Sequence, residues 1–329
     1  MSCLKNLSSR AVHRIYVEED AFGYDITRKV LKKYSDCDIV KINNYKDVFN
    51  RTRQSFSLQK KFPQLILAVK KDTFIYEGSP MCQNFGHQSY YYATFMVNCI
   101  FDCQYCFLQG MYNSSNIVCF VNVEDFAKEF SRMECGSMIA LSYETDLIAH
   151  HNIVPYLEYI YEYIKATENV AFEIRTKSAN TLILSKYMPL DNLILTYTLT
   201  PQKIIDSYER FTPNLDARIK AVNHALDLGF KVRICFDPIF ADEDYEEFFQ
   251  HVFEKIDGKR INDIGYGFFR MPKEQYLKAF KISDSIVYAK DYVEEDGVVT
   301  FPEKMITEAT KIHMDIIEYF VDKEKIYIL

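Results

Sequence analysis

The sequence predicts an α/β protein: a partial (β/α)6 barrel, preceded by a small N-terminal α/β unit and followed by a C-terminal covering helix. Two observations carry this. From about residue 90, short β-rich runs alternate with helical patterns, and parallel neighbours need such crossovers. The length, 329 residues, suits one barrel with an added piece.

In order, the expected barrel strands are ATFMVN (93–98), SMIALSY (137–143), AFEIRT (171–176), NLILTYTL (192–199), KVRICFD (231–237) and DIGYGFF (263–269). Between them VEDFAKEFSRM (123–133) and NIVPYLEYIYEYIKAT (152–167) place apolar residues at helical spacing. Two further helices, DARIKAVNHALDLG and DYEEFFQHVFEKIDG, are expected to end on Gly229 and Gly258 as C-caps. EKMITEATKIHMDIIEYFVDK (303–323) is amphipathic and suited to covering an open edge. Upstream, RIYVEED and CDIVKIN read as strands around the helix DITRKVLKKY, with Asp25 as its N-cap. The expected division is an N-terminal unit at 1–85 packed on a barrel at 86–329.

Hydrophobic residues make up 48% of the chain, enough for a large core. The net charge of −7 has the wrong sign for a surface that attracts nucleic acid everywhere. A local basic set (Arg51, Arg53, Lys60, Lys61, Lys70 and Lys71) reads as a solvated face. The first residues, MSCLKNLSSRAVHRIYVEED, lack an apolar core before a small-residue cleavage site. No run of about 20 apolar residues follows. The expectation is a cytoplasmic protein without a membrane partner, its oligomeric state open. In that reducing setting, clustered Cys point to metal and scattered Cys to core.

The chemistry concentrates in MVNCIFDCQYCFLQGMY (96–112). Cys99, Cys103 and Cys106 follow a Cys-x3-Cys-x2-Cys spacing. Soft thiolates select iron–sulfur or zinc. Structural zinc takes four protein ligands, commonly as pairs, and no fourth Cys or His stands nearby at pair spacing. Cys119, in the apolar run IVCFVN, reads as core. Three thiolates on a 4Fe-4S cluster leave one iron open to the amino and carboxylate groups of S-adenosylmethionine. Reductive cleavage of that cofactor releases a 5′-deoxyadenosyl radical. The spacing matches the radical S-adenosylmethionine superfamily. A non-catalytic iron–sulfur or zinc protein is the rival from another class.

Beyond this loop the chain resembles the spore photoproduct lyase family, in which the adenosyl radical starts repair of a thymine dimer of spore DNA. Cys-Gln-Tyr-Cys-Phe-Leu-Gln (103–109) is similar to that family's Cys-His-Tyr-Cys-Tyr-Leu-Gln, and VNVEDF (121–126) to its Val-Asn-Leu-Asp-Glu. SYETD (142–146) lies where the family has Cys-Thr-Ser-Asp. RTK (175–177) matches a Thr-Lys pair, and TYTLTP (196–201) a Ser-Ile-Asn strand end. The resemblance implies that Cys99, Cys103 and Cys106 ligate the cluster and that Tyr105 and Phe107 sit beside the cofactor. It implies that Thr145, Asp146, Lys177 and Thr198 contact the cofactor's methionine or ribose part. It implies damaged DNA as partner, with the lesion flipped out of the duplex, and an electron donor such as flavodoxin or ferredoxin.

Two positions depart from the family. Tyr143 stands where the repair enzymes carry a hydrogen-donating Cys, and Phe107 where they carry Tyr. Tyr143 and Cys235 are therefore the candidate hydrogen donors, and the substrate stays open between DNA and a small molecule or peptide. Arg270 in FFRMP is a candidate anion contact. In SPMCQNFGHQSYYYAT (79–94), the segment that holds Cys82, His87 and the Tyr cluster 90–92 either line the active-site mouth or, the reading preferred, pack the N-terminal unit on the barrel. His150 and His151 are adjacent, so both cannot face inward from one helix.

Overall fold

The computed structural model describes residues 14–329; residues 1–13, which begin the segment read above for a leader, lie outside the described residues. Seven parallel strands form a curled, open sheet in the order Ser89–Ala93, Ser137–Ala140, Ala171–Thr176, Leu193–Thr198, Lys231–Ile239, Asp263–Phe268 and Ile326–Ile328. Ile75–Glu77 adds an antiparallel strand at the first edge. The central strands are apolar along their length because helices cover one face and the barrel lumen the other. Ile139, Phe172, Ile174, Leu195, Val232, Ile234 and Ile264 are all buried.

Five of the six expected barrel strands are present in this sheet. The first barrel strand is SYYYA (89–93), not ATFMVN. Met96–Val97 instead turns away to pair antiparallel with Ile117–Phe120. That pair belongs to a second sheet, ordered 38–42, 14–18, 65–68, 117–120 and 96–97. Two of its five strands thus come from beyond residue 86. A short apolar run looks the same in either sheet, so periodicity does not assign it. Cys119 is fully buried there, as read.

The C-terminal helix, Glu303–Phe320, packs on Glu246–Lys255, with the Phe253 and Phe320 rings stacked 5.0 Å apart. The strand that follows it, Ile326–Ile328, was not foreseen and completes the sheet edge. Gly229 caps its helix at φ +86°, as expected. Gly258 does not. The helix before it ends at Lys255, and Gly258 opens a turn where a Cβ would strike the carbonyl of Phe320. Asp25 is the first residue of its helix rather than the cap. Its carboxylate accepts from Tyr159 Oη at 2.7 Å and pairs with Lys29 at 3.2 Å.

Two charged groups are fully enclosed. In the lumen, Arg233 pairs with Asp263 through two nitrogens and reaches Glu173 at 3.4 Å. At the barrel's end, Arg218 pairs with Glu209, which also accepts from Thr200 at 2.9 Å. Burial works to raise the Glu209 carboxyl, but Arg218 and Lys177 outweigh it and hold the group at about 2. Among the described residues no helix is long and apolar enough to cross a membrane.

Removing one partner of such a pair strands the other in a dry environment. Arg233→Met is expected to lower unfolding free energy by about 3–5 kcal/mol, read from denaturant midpoints at constant slope. Glu209 sets a pH dependence. Its unfolded carboxyl titrates near the ordinary 4.5 and its folded one near 2. Its stabilisation is therefore complete above the first value and drains away as pH falls toward the second. Glu209→Gln should flatten that part of an acid-unfolding curve, and an unchanged curve would show that the pair contributes nothing.

Candidate active site

The three Cys lie on a loop that leaves the strand pair at 96–97 through Asn98, held in the left-handed region at φ +69°. The Asn98 amide donates to the carbonyls of Ser114 and Asn116 at 2.9 and 2.8 Å, and Thr145 Oγ1 donates to Asn98 O at 2.9 Å. Asp102 and Cys103 then pair antiparallel with Glu209 and Arg210. Gln109 closes the loop from behind by donating to Asp102 Oδ1 at 2.9 Å and Cys103 O at 3.1 Å.

All three Cys line one cavity of about 510 Å³ at the C-terminal ends of the barrel strands. The same cavity is lined by Tyr105, Phe107, Tyr143, Thr145, Asp146, Lys177 and Thr198. Of the cluster, cofactor and hydrogen-donor candidates read from sequence, the cavity brings together all but Cys235, and His87, His150 and His151 do not line it. Burial pushes the three thiols up, that of Cys99 to about 12; Lys60 works against this at Cys99 and Cys106, and Lys177 at Cys103 and Cys106. Among the described residues no three His, Cys, Asp or Glu side chains converge as ligands of a single ion. The thiolates of an iron–sulfur cube each reach a different iron, so convergence on one point is not required of them. Three thiols lining one cavity with Lys60 and Lys177 in the same lining fit such a cluster, whose sulfur-rich core is anionic.

Each neighbour has a definite anchor. The Tyr105 hydroxyl donates to Glu209, and the Lys177 ammonium lies 5.6 Å over its ring. Burial works against the charge on Lys177, but Glu209 and Cys103 outweigh it and raise its pKa. Asp146 is committed to the scaffold. It accepts from Ala149 N, Thr176 Oγ1 and Lys177 N at 2.8–2.9 Å, capping one helix and fixing the backbone that presents Lys177. Thr198 reaches the cavity from the end of Leu193–Thr198.

Tyr143 sits in an aromatic column: its ring is 4.4 Å from Tyr92 and 5.5 Å from Phe107, and Tyr92 stacks on Tyr76 at 5.2 Å. Its hydroxyl lies 3.6 Å from Cys82 Sγ. Burial and the nearby thiol push the phenol's pKa up. Cys82, read from sequence as packing, is therefore part of the site, as are Tyr90 and Tyr92. The segment holding it crosses the open barrel. It leaves strand Ile75–Glu77, and Gln83 Nε2 donates to Ile328 O at 2.9 Å on the far edge. Phe85 packs on Tyr327 at 5.4 Å and under the Arg233 guanidinium at 3.4 Å. Nothing local in the sequence announces that strap.

Cys235 lies below the cavity. Its sulfur is fully buried where a Cβ on Gly265 would come within 3.2 Å of it. Ser142 is tied to the backbone of Arg175 by two bonds of 2.8 and 2.7 Å. Arg270 does line the cavity, but it donates to Asp237 Oδ1 at 3.1 Å. His150 is buried behind the cluster loop, where burial and Lys60 hold it down to about 3 and hence neutral. His151 is held down by burial as well.

The family model for spore photoproduct lyase matches residues 11–293. Curated spore photoproduct lyases show the same relation. That of Bacillus subtilis (strain 168) is 22% identical over 86% of this chain and 84% of its own. That of Clostridium acetobutylicum is 22% identical over 81% and 82%. Among solved structures, a spore photoproduct lyase complexed with dinucleoside spore photoproduct superimposes with a TM-score of 0.78, covering 97% of this chain and 98% of the other at 17% identity. A double mutant of spore photoproduct lyase with bound AdoMet and dinucleoside spore photoproduct gives the same TM-score of 0.78. With a family match that takes in the cluster loop and most of the barrel, this chain belongs to the spore photoproduct lyase family.

Proposed function

We propose that this radical S-adenosylmethionine enzyme repairs the spore photoproduct, a thymine dimer of DNA, and draws the closing hydrogen atom from Cys82. The observation that carries this is the single cavity, lined by the three cluster cysteines, the cofactor-facing residues and the Cys82–Tyr143 pair at 3.6 Å.

A 4Fe-4S cluster and S-adenosylmethionine supply a 5′-deoxyadenosyl radical when bound. Cys99, Cys103 and Cys106 hold the cluster as thiolates. The Lys177 ammonium pairs with the methionine carboxylate, with Asp146 fixing the backbone from which Lys177 extends. Tyr105, Phe107, Thr145 and Thr198 frame the remainder and help to exclude water. A lesion inside a duplex reaches this cavity only by leaving the base stack. With a net charge of −7, contact with DNA is local to the cavity mouth. A low-potential flavodoxin or ferredoxin of the cytoplasm serves as electron donor.

The reaction is redox neutral: one hydrogen atom leaves the dimer and one returns to the product radical. The Cys82 S–H bond breaks homolytically as the new C–H bond forms. Tyr143 stands next in line to refill the sulfur. With the cofactor bound, the hydrogen atom taken from the dimer would be the one returned through Tyr143, so the hydrogen count would close within the turnover.

Anaerobic assay with an oligonucleotide bearing the dithymine spore lesion tests this reading. The parent chain should restore thymines only when reductant and S-adenosylmethionine are both present; cleavage of the cofactor without repair would reject DNA as substrate. Cys99→Ala should fail to retain iron. Cys82→Ala should still cleave the cofactor but restore thymines at least about tenfold more slowly, about 1.4 kcal/mol in barrier. Tyr143→Phe should slow repair less, and Cys235→Ala not at all. Repair at the parent rate by Cys82→Ala would remove Cys82 as donor.

A further inference from the structure

The basic, Gln-rich stretch RTRQSFSLQKKF (51–62) is not simply a solvated face. It contains helix Phe56–Lys61 of the N-terminal unit, capped by Ser55. That helix grips the cluster segment at both ends. After the cluster loop, Gln59 Oε1 accepts from Ser114 Oγ at 3.1 Å and from Ser115 N at 3.0 Å, and Ser115 Oγ donates to Phe56 O at 2.8 Å. Within the loop, Lys60 Nζ donates to Cys99 O at 3.2 Å and to Phe101 O at 3.1 Å. The amide between these carbonyls, Ile100 N–H, donates to His150 Nε2 at 3.1 Å. Three backbone groups of residues 99–101 are thus held by side chains from opposite parts of the fold.

We infer that Lys60 and His150 are positioning residues that preorganise the cluster loop, Lys60 also adding a positive charge beside the cluster. This rests on the reading that the three Cys hold a 4Fe-4S cluster. The irregular backbone at 99–101 lacks a strand or helix to satisfy it, so side chains must do so. With the loop already in its bound shape, cluster binding costs less ordering. The two residues differ in one respect. His150 is neutral and acts through geometry alone, whereas the Lys60 ammonium also stabilises the more negative, reduced cluster.

The test uses anaerobically reconstituted full-length chain. Iron per chain, the rate of iron loss to a chelator and the cluster's reduction midpoint are measured for the parent, Lys60→Met, Lys60→Arg and His150→Leu. Lys60→Met should lose iron at least about tenfold faster and show a lower midpoint. Lys60→Arg should restore both toward the parent. His150→Leu should lose iron faster with its midpoint unmoved. Thermal melting of each metal-free chain separates loop positioning from general unfolding, and Lys60→Gln serves if Lys60→Met does not fold. Iron loss by Lys60→Met within twofold of the parent, at the same midpoint, overturns the inference. A parent chain that binds no iron overturns the cluster reading instead.

Discussion

The constraint on which the rest of this structure depends is the backbone of the cluster loop. Three thiols within eight residues must face one space, and no regular element can turn the chain that tightly. The polar groups from Asn98 to Cys103 therefore look outward for partners. They find them in Thr145, Lys60, His150 and Gln109 and in the short pairing with Glu209–Arg210. These contacts come from the N-terminal unit, from two barrel crossovers and from the loop itself. Buried Glu209 links them further, since it joins Tyr105 on the loop to Arg218 on the following barrel helix. The fold around the loop is in this sense its scaffold.

The second constraint is that the barrel is open. A sheet that does not close exposes its lumen, and here the lumen is charged, with Glu173, Arg175, Arg233 and Asp263 in contact along it. Such groups need shielding from competing water if their pairing is to matter. The strap at 78–88 provides it by spanning the two sheet edges and laying Phe85 against Arg233. The same crossing brings Cys82 to the cavity wall. One segment thus shields the lumen and delivers a thiol to the site.

What the sequence made legible follows from range. The cluster spacing is local, so Cys99, Cys103 and Cys106 were readable directly, and so were the alternating strands and helices of the barrel. Thr145, Asp146, Lys177 and Thr198 were named only through the family resemblance, and all four line the cavity. What escaped depends on distant partners. Strand Ile326–Ile328 is three residues long and becomes a strand only by pairing with 264–266. Gly258 looked like a helix cap because its real reason, room for the Phe320 carbonyl, lies more than sixty residues away. Lys60 looked solvated because its acceptors are backbone carbonyls, which carry no sequence signature. Cys82 looked like packing because its value lies in the strap's path rather than in its neighbours.

On the donor assignment proposed above, the Cys82–Tyr143 pair keeps the site's chemistry while its residues move. The family's hydrogen donor is a thiol at the strand end that here carries Tyr143. A phenol at that place is larger and more rigid, and in this chain it is packed between Tyr92 and Phe107. Phe107, where the family has Tyr, presents no hydroxyl to this column. The two departures noted in the sequence thus lie in ring contact, and the Cys82 thiol stands one hydrogen bond from Tyr143. A Tyr at 143 without Cys82 would leave the cavity with a phenol alone. Cys82 without an aromatic clamp would leave the thiol free to rotate. Read together, the three positions are contiguous, and on the proposed donor assignment they form one rearranged unit rather than independent losses.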